Sequence, residues 1–133
     1  MKKILVDTSI WIEYFKGNNE VQKIIHDKDN YQIYITGPIF TELTLGIKNE
    51  KEKDIFTSCF QAFPFLKIEQ KDWINAGQIG NNLRKHGVSI PLADLIIFTI
   101  AEKNNCALFT LDKHFSIINK TLKKNIEIFC VTG

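Results

Sequence analysis

A three-layer α/β/α sandwich around a mostly parallel sheet is the fold class this sequence predicts, and three observations lead to it. Short β-type runs, such as Ile4-Leu5-Val6 and Ala107-Leu108-Phe109-Thr110, alternate with longer segments whose apolar residues recur at helical spacing. Those runs are too apolar for one face to meet water, so helices must cover both faces of the sheet. The chain has 133 residues, 44% hydrophobic and 24% charged, which suits one domain over 1–133 with a well-filled core.

The elements follow in order. Ile4-Leu5-Val6 is a strand that ends at Asp7-Thr8-Ser9, and Ile10 to Phe15 is a helix stopped by Gly17-Asn18-Asn19. Glu20 to Lys28 is a second helix with Val21, Ile24 and Ile25 on one face, and Tyr31 to Ile35 is a strand. Pro38 suits the first turn of a helix whose stripe is Ile39, Phe40, Leu43 and Ile47. Glu50 to Phe63 is amphipathic, with Ile55, Phe56, Cys59 and Phe60 inside. Phe65 to Ile68 is a short strand, and Asp72 to Lys85 is a helix halted at His86-Gly87. Pro91 opens the helix that carries Asp94, Ala107 to Thr110 is a strand ending near Asp112, and Ile126 to Val131 is the last strand. No repeat or linker divides the chain.

Composition bounds the function. A formal charge of only +2 means that any nucleic-acid contact relies on a local patch or on metal ions. Cys59, Cys106 and Cys130 form no CxxC pair and sit among apolar residues, as buried thiols in a reducing compartment do. The apolar run before Asp7 is too short for a signal peptide, and no segment has the apolar length of a membrane span. A soluble, cytoplasmic protein is expected.

The acids carry the chemistry. Asp7 directly follows the first strand, and Asp112 comes just after the Ala107–Thr110 strand. In an open parallel sheet, ligands bind beyond the carboxyl ends of the strands, so both acids point to one rim. Glu42 lies near the start of a helix that begins on that rim, on the shoulder of its apolar stripe. Asp94 is the only charge in "ADLIIFTIA", in the first turn of its helix, with no Lys or Arg one turn away. Taken singly, each has an ordinary explanation: Asp7 as a helix cap, Asp94 as a partner of the helix dipole, Glu42 as a surface acid and Asp112 as a turn residue. Together they would converge on one cleft. Two carboxylates about 4 Å apart repel by about 4 kcal/mol at an effective dielectric of 20, so such a cluster calls for a cation. Mg²⁺ or Mn²⁺ accepts carboxylates and water. His26, His86 and His114 form no ligand pair, so zinc is not expected.

With these residues placed, the chain is similar to the PIN-domain ribonucleases of the VapC toxin type, from bacterial toxin–antitoxin pairs. "ILVDTSIWIEYF" resembles the family's opening strand and first acid, and "TELTLGI" its second acidic element. "LRKHGVSIPLADLIIFTIAEKNNCALFTLDKHF" resembles the long C-terminal signature, the most specific part, with the third acid in a helix and the fourth after a strand. The resemblance covers nearly the whole chain and implies a PIN-like fold. It places the catalytic, metal-holding acids at Asp7, Glu42, Asp94 and Asp112, supported by Ser9 and Thr110. It implies Mg²⁺- or Mn²⁺-dependent cleavage of RNA, leaving 5′-phosphate and 3′-hydroxyl ends, but not which RNA is cut; tRNA and rRNA are the open candidates. It also implies a cognate antitoxin, docked on the N-terminal helices, and a homodimer. Basic residues must then handle the RNA backbone: Arg84, Lys85 and His86 before the Asp94 helix, and Lys113 and His114 after Asp112.

Other classes fit less well. A haloacid-dehalogenase-type phosphatase needs a second Asp two residues after the first, where Ser9 stands. A receiver domain needs paired acids after its first strand, but Thr8 follows Asp7, and the run Phe65 to Ile68 ends in no Asp. A catalytically silent PIN scaffold that binds RNA or a protein partner is the remaining alternative, although such scaffolds typically lack an acid. Trp11, Tyr14 and Phe15 on the first helix serve either a self-pairing surface or the core.

Overall fold

The apolar run at the N-terminus becomes the middle of a parallel sheet. The computed structural model describes residues 1–129. In chain order they form β1 (Lys2–Val6), α1 (Thr8–Phe15), α2 (Asn19–Ile25), β2 (Tyr31–Thr36), α3 (Gly37–Leu45), α4 (Glu50–Gln61), β3 (Phe65–Leu66), α5 (Gln70–Lys85), α6 (Leu92–Lys103), β4 (Ala107–Phe109), α7 (His114–Leu122) and β5 (Ile128–Phe129). The strands pair in parallel in the order β3-β2-β1-β4-β5. From β1 the chain winds outward through β2 to β3, then returns to the other side of β1 for β4 and β5. Right-handed crossovers in opposite directions put the two helical groups on opposite faces, giving the three layers expected. The winding reverses between β1 and β4, and the crevice at such a reversal is where open α/β sheets bind ligands.

The central strands are as apolar as they are because they are covered twice. Ile4, Leu5, Val6, Leu108 and Phe109 have no solvent exposure. Helix α6 is buried almost all round, from Leu95 to Ala101, which accounts for the apolar run that surrounds Asp94. Within that run Thr99 donates its hydroxyl to the Leu95 carbonyl at 2.8 Å. Helix α5 lies closely against α6. A Cβ at Gly80 would meet Leu95 Cδ1 at 2.7 Å, so any larger residue here requires the Leu95 side chain or α5 to shift. Gly87, at φ +76°, reverses the chain between the two helices.

Of the α1 aromatics, Trp11 is core, and Tyr14 and Phe15 are half-buried and pack against it. Trp11 is fully buried, with ring centroids of Phe60 and Phe63 at 5.2 and 5.5 Å, and Phe15 stacks on Phe56 at 4.3 Å. These contacts fasten α4 to α1. Local caps set the helix starts: Asn18 accepts from the Val21 N–H and Asn49 from the Glu52 N–H. Glu69 and Asp72 form a reciprocal capping box that starts α5.

Several expectations need correction. Helix α7 is missing from the expected elements because its signal is weak. Its stripe of Phe115, Ile118 and Leu122 is short, Ile117 and Ile118 favour strands, and it ends on Lys123 in the left-handed region rather than on glycine. Ile55 is exposed rather than inside, since the Phe56 and Phe60 stripe of α4 already fills the contact with α1. Ile47 lies beyond the end of α3, which stops at Gly46. β3 pairs over only two residues. The last strand begins at Ile128, and residues 130–131 of its expected span lie outside the described residues, as does Cys130. Cys59 and Cys106 are free, and burial pushes both thiols up, which disfavours the thiolate.

Candidate metal centre

Sheet register builds the site. Val6 and Phe109 are register partners, and the Asp7 N–H donates to the Phe109 carbonyl at 2.9 Å. The next residues, Asp7 and Thr110, therefore leave the sheet side by side. Asp7 occupies the N-cap position of α1, yet its carboxylate makes no cap bond. It turns across the rim instead. Thr110 Oγ1 donates to Asp7 Oδ2 at 2.8 Å, and Ser9 Oγ donates to the same oxygen at 3.2 Å. Each hydroxyl is in turn held by a backbone donor: the Asp112 N–H reaches Thr110 Oγ1 at 2.9 Å, and the Leu111 N–H reaches Ser9 Oγ at 3.0 Å. The two hydroxyls thus tie the end of β1 to the loop after β4. This loop carries Asp112.

Asp94 enters from the first turn of α6. Its Oδ2 lies 2.6 Å from His114 Nδ1, and the same nitrogen lies 3.1 Å from Asp112 Oδ1. The His114 backbone N–H also donates to Asp112 Oδ1 at 2.9 Å, so Asp112 caps the chain entering α7. Asp94, Asp112 and His114 each offer one ligand atom, and these atoms all lie within 4.8 Å of one another. Glu42 stands on the second turn of α3, more exposed than the others. Thr8 Oγ1 is buried beside it and bears on the Glu42 carboxyl.

The charges interact across the rim. Burial pushes the Asp7 carboxyl up, hydrogen bonds from Thr110, the Thr8 N–H and Ser9 oppose this, and the Asp94 charge adds to it. Burial also raises Glu42, the charges of Asp7, Asp94 and Asp112 raise it further, and a hydrogen bond from the Thr8 hydroxyl opposes them. Asp94 is raised by burial, lowered by its His114 hydrogen bond and raised again by Asp112. The four acids singled out in the sequence therefore share one field. A cluster of carboxylates that raise one another and three convergent ligand atoms fit a divalent cation with mostly oxygen donors.

Sequence reasoning misses the place of His114. Position in the chain groups it with the basic residues for RNA contact, but its Nδ1 faces the acids. The available signal is the Phe115, Ile118 and Leu122 spacing, which starts a helix at position 114 and brings its first turn to the rim. Arg84 and Lys85 are exposed in the last turn of α5, beside the start of α6, and Lys113 is exposed between Asp112 and His114.

Known proteins are similar to this chain in sequence and in fold. The PIN domain family model matches residues 4–120. Ribonuclease VapC1 of Methanocaldococcus jannaschii is 32% identical over 114 residues, which cover 85% of this chain and 79% of that protein. Ribonuclease VapC3 of the same organism is 33% identical over 96 residues, 72% of this chain and 95% of that protein. Among solved structures, VapBC2 from Rickettsia felis bound to a DNA fragment from their promoter has a TM-score of 0.80 at 19% identity, over 96% of this chain and 98% of that one. DNA-bound VapBC from Salmonella typhimurium has a TM-score of 0.75 at 17% identity, over 98% of both chains. At these identities the structural likeness establishes the fold.

Proposed function

This chain belongs to the PIN-domain family, among the VapC ribonucleases, and we propose that it is the toxin of a toxin–antitoxin pair, cutting RNA at a divalent ion held by Asp7, Glu42, Asp94 and Asp112. The observation that carries this reading is the convergence of these acids at the switch point of the sheet, where burial and mutual repulsion raise three of them. Bound there, Mg²⁺ or Mn²⁺ supplies a water of lowered pKa and a positive charge for the phosphate and the leaving oxygen.

The chain's own residues do the rest. Asp94 and Asp112 are placed to hold the ion, with Asp7 behind them. Thr110 and Ser9 fix one Asp7 oxygen and leave the other for the ion, which is how supporting hydrogen bonds orient a ligand carboxylate. Glu42, on an exposed turn, positions the attacking water or completes the ligand set. Arg84, Lys85 and Lys113 take phosphates of the RNA backbone, tRNA or rRNA, without choosing its sequence. The domain spans 1–133, and among the described residues no helix is long and apolar enough to cross a membrane; we place its action in the cytoplasm.

Partners follow from the same reading. The solved relatives are VapBC complexes, which supports a cognate antitoxin for this chain. Self-pairing as a homodimer would use apolar side chains outside the core, such as Leu45, Phe65 and Trp73, since Trp11 is internal. The test is cleavage of RNA by the purified chain with Mn²⁺ or Mg²⁺, with chelator, and with Asp94→Asn. Cleavage to 5′-phosphate ends only by the metal-loaded wild type supports the proposal. RNA or antitoxin binding without any cleavage would favour the silent scaffold.

A further inference from the structure

His114 does not behave as a solvated basic residue. Its ring is 37% exposed, yet Nδ1 points inward, 2.6 Å from Asp94 Oδ2 and 3.1 Å from Asp112 Oδ1. The position is built. The His114 N–H is fastened to Asp112, and the next side chain, Phe115, is fully buried and anchors α7. Binding RNA phosphate would need the ring nitrogens outside, and only Nε2 is left for that. The Nδ1 nitrogen instead lies beside the oxygens assigned to the metal.

The spacing suits coordination as well as hydrogen bonding. Adjacent ligands of an octahedral ion with bonds of about 2.1 Å lie about 3.0 Å apart. The Asp112–His114 separation of 3.1 Å already meets this, and the Asp94–His114 separation of 2.6 Å needs to open slightly. On the proposed reading that this rim holds a divalent ion, we propose that His114 Nδ1 is one of its ligands, beside Asp94 and Asp112, and that this nitrogen tilts the site away from Mg²⁺ toward first-row transition ions. Coordination uses the Nδ1 lone pair, so the ring carries its hydrogen on Nε2, toward solvent. Mg²⁺ favours oxygen and keeps its waters, whereas affinity for a site containing nitrogen rises from Mn²⁺ to Co²⁺. An all-oxygen site, as the sequence pattern suggests, would carry a much shallower preference.

The experiment uses the full chain and the metals alone. Mg²⁺, Mn²⁺ and Co²⁺ are titrated by calorimetry into wild type, His114→Ala and His114→Asn, and the Mn²⁺ forms are examined by pulsed electron paramagnetic resonance for bound nitrogen. We expect a directly coordinated nitrogen in wild type that is absent from both variants. Co²⁺ affinity should fall by about 10- to 100-fold, Mn²⁺ affinity by less and Mg²⁺ affinity least. The Asn variant retains a donor to Asp94, so it would restore the wild-type pattern if His114 only positioned that carboxylate; such a rescue would overturn the proposal. Mn²⁺ bound stoichiometrically with no coordinated nitrogen would overturn it too, leaving the carboxylate centre intact. Failure of wild type to bind any of the three ions would overturn the metal centre itself.

Discussion

Thr110 makes the sharpest test of how the rim is assembled. Thr110→Val keeps the side-chain shape and removes one hydroxyl. That hydroxyl donates to the buried Asp7 carboxylate at 2.8 Å and accepts from the Asp112 N–H at 2.9 Å. A hydrogen bond to a charged group contributes about 1.5–3 kcal/mol, and a buried N–H without an acceptor costs about 1–3 kcal/mol. The Asp112 N–H is only part-buried, so its loss counts at the low end, and the added methyl regains about 0.8 kcal/mol of burial, leaving a net loss of about 2–4 kcal/mol. For a chain of this size that lowers Tm by about 8–16 °C.

The loss should also depend on pH. Asp7 is already raised by burial, and Thr110 provides the strongest opposing hydrogen bond, so the Val variant raises it further. An acid whose folded value is raised contributes stability at pH below its unfolded value, and this is lost as pH rises through the folded value. The cost of Thr110→Val is therefore largest at pH about 8 and shrinks toward pH about 4. The assay is urea unfolding of the metal-free protein at both pH values, with Thr110→Ser as the control that keeps the hydroxyl. A Val variant within about 0.5 kcal/mol of wild type at the higher pH would refute the reasoning, because surface-like substitutions fall in that range.

Further outcomes are expected. Saturating Mn²⁺ at about 100 times its Kd should stabilise wild type by about 2.7 kcal/mol, or about 10 °C in Tm, and chelator should reverse it. No thermal shift would count against a metal centre. Removing Arg84, Lys85 or Lys113 singly should flatten the salt dependence of RNA affinity by about 0.7 in log–log slope for each phosphate no longer neutralised, while leaving metal binding unchanged. An unaltered slope in all three would place the RNA elsewhere. Gly80→Val should cost about 1–3 kcal/mol by forcing α5 away from Leu95, as measured by urea unfolding; a neutral result would mean that Leu95 moves aside freely.

Most of the sheet is legible in the sequence because its strands are fully covered and so wholly apolar, as Ile4–Val6 and Ala107–Phe109 show. The four acids are legible for a related reason: a charge directly after a buried strand, or inside a buried helix, has to face something. The pairing between Asp7 and Thr110 depends on register across β1 and β4, which are far apart in the chain and leave no local pattern. Helix α7 is hidden by β-branched residues and a left-handed Lys123 in place of glycine, and His114 is hidden with it. Ile55 shows the limit of helical periodicity, which marks a stripe but not its width.

The most direct test of the metal-dependent cleavage is a map of new RNA 5′ ends in cells that express wild type or Asp94→Asn at matched levels, with both proteins shown to be folded. Sharp new 5′-phosphate ends with wild type alone are the expected result, and they would identify the RNA. The same ends with both proteins would contradict the account, because cleavage would then not need the carboxylate at the centre of the site.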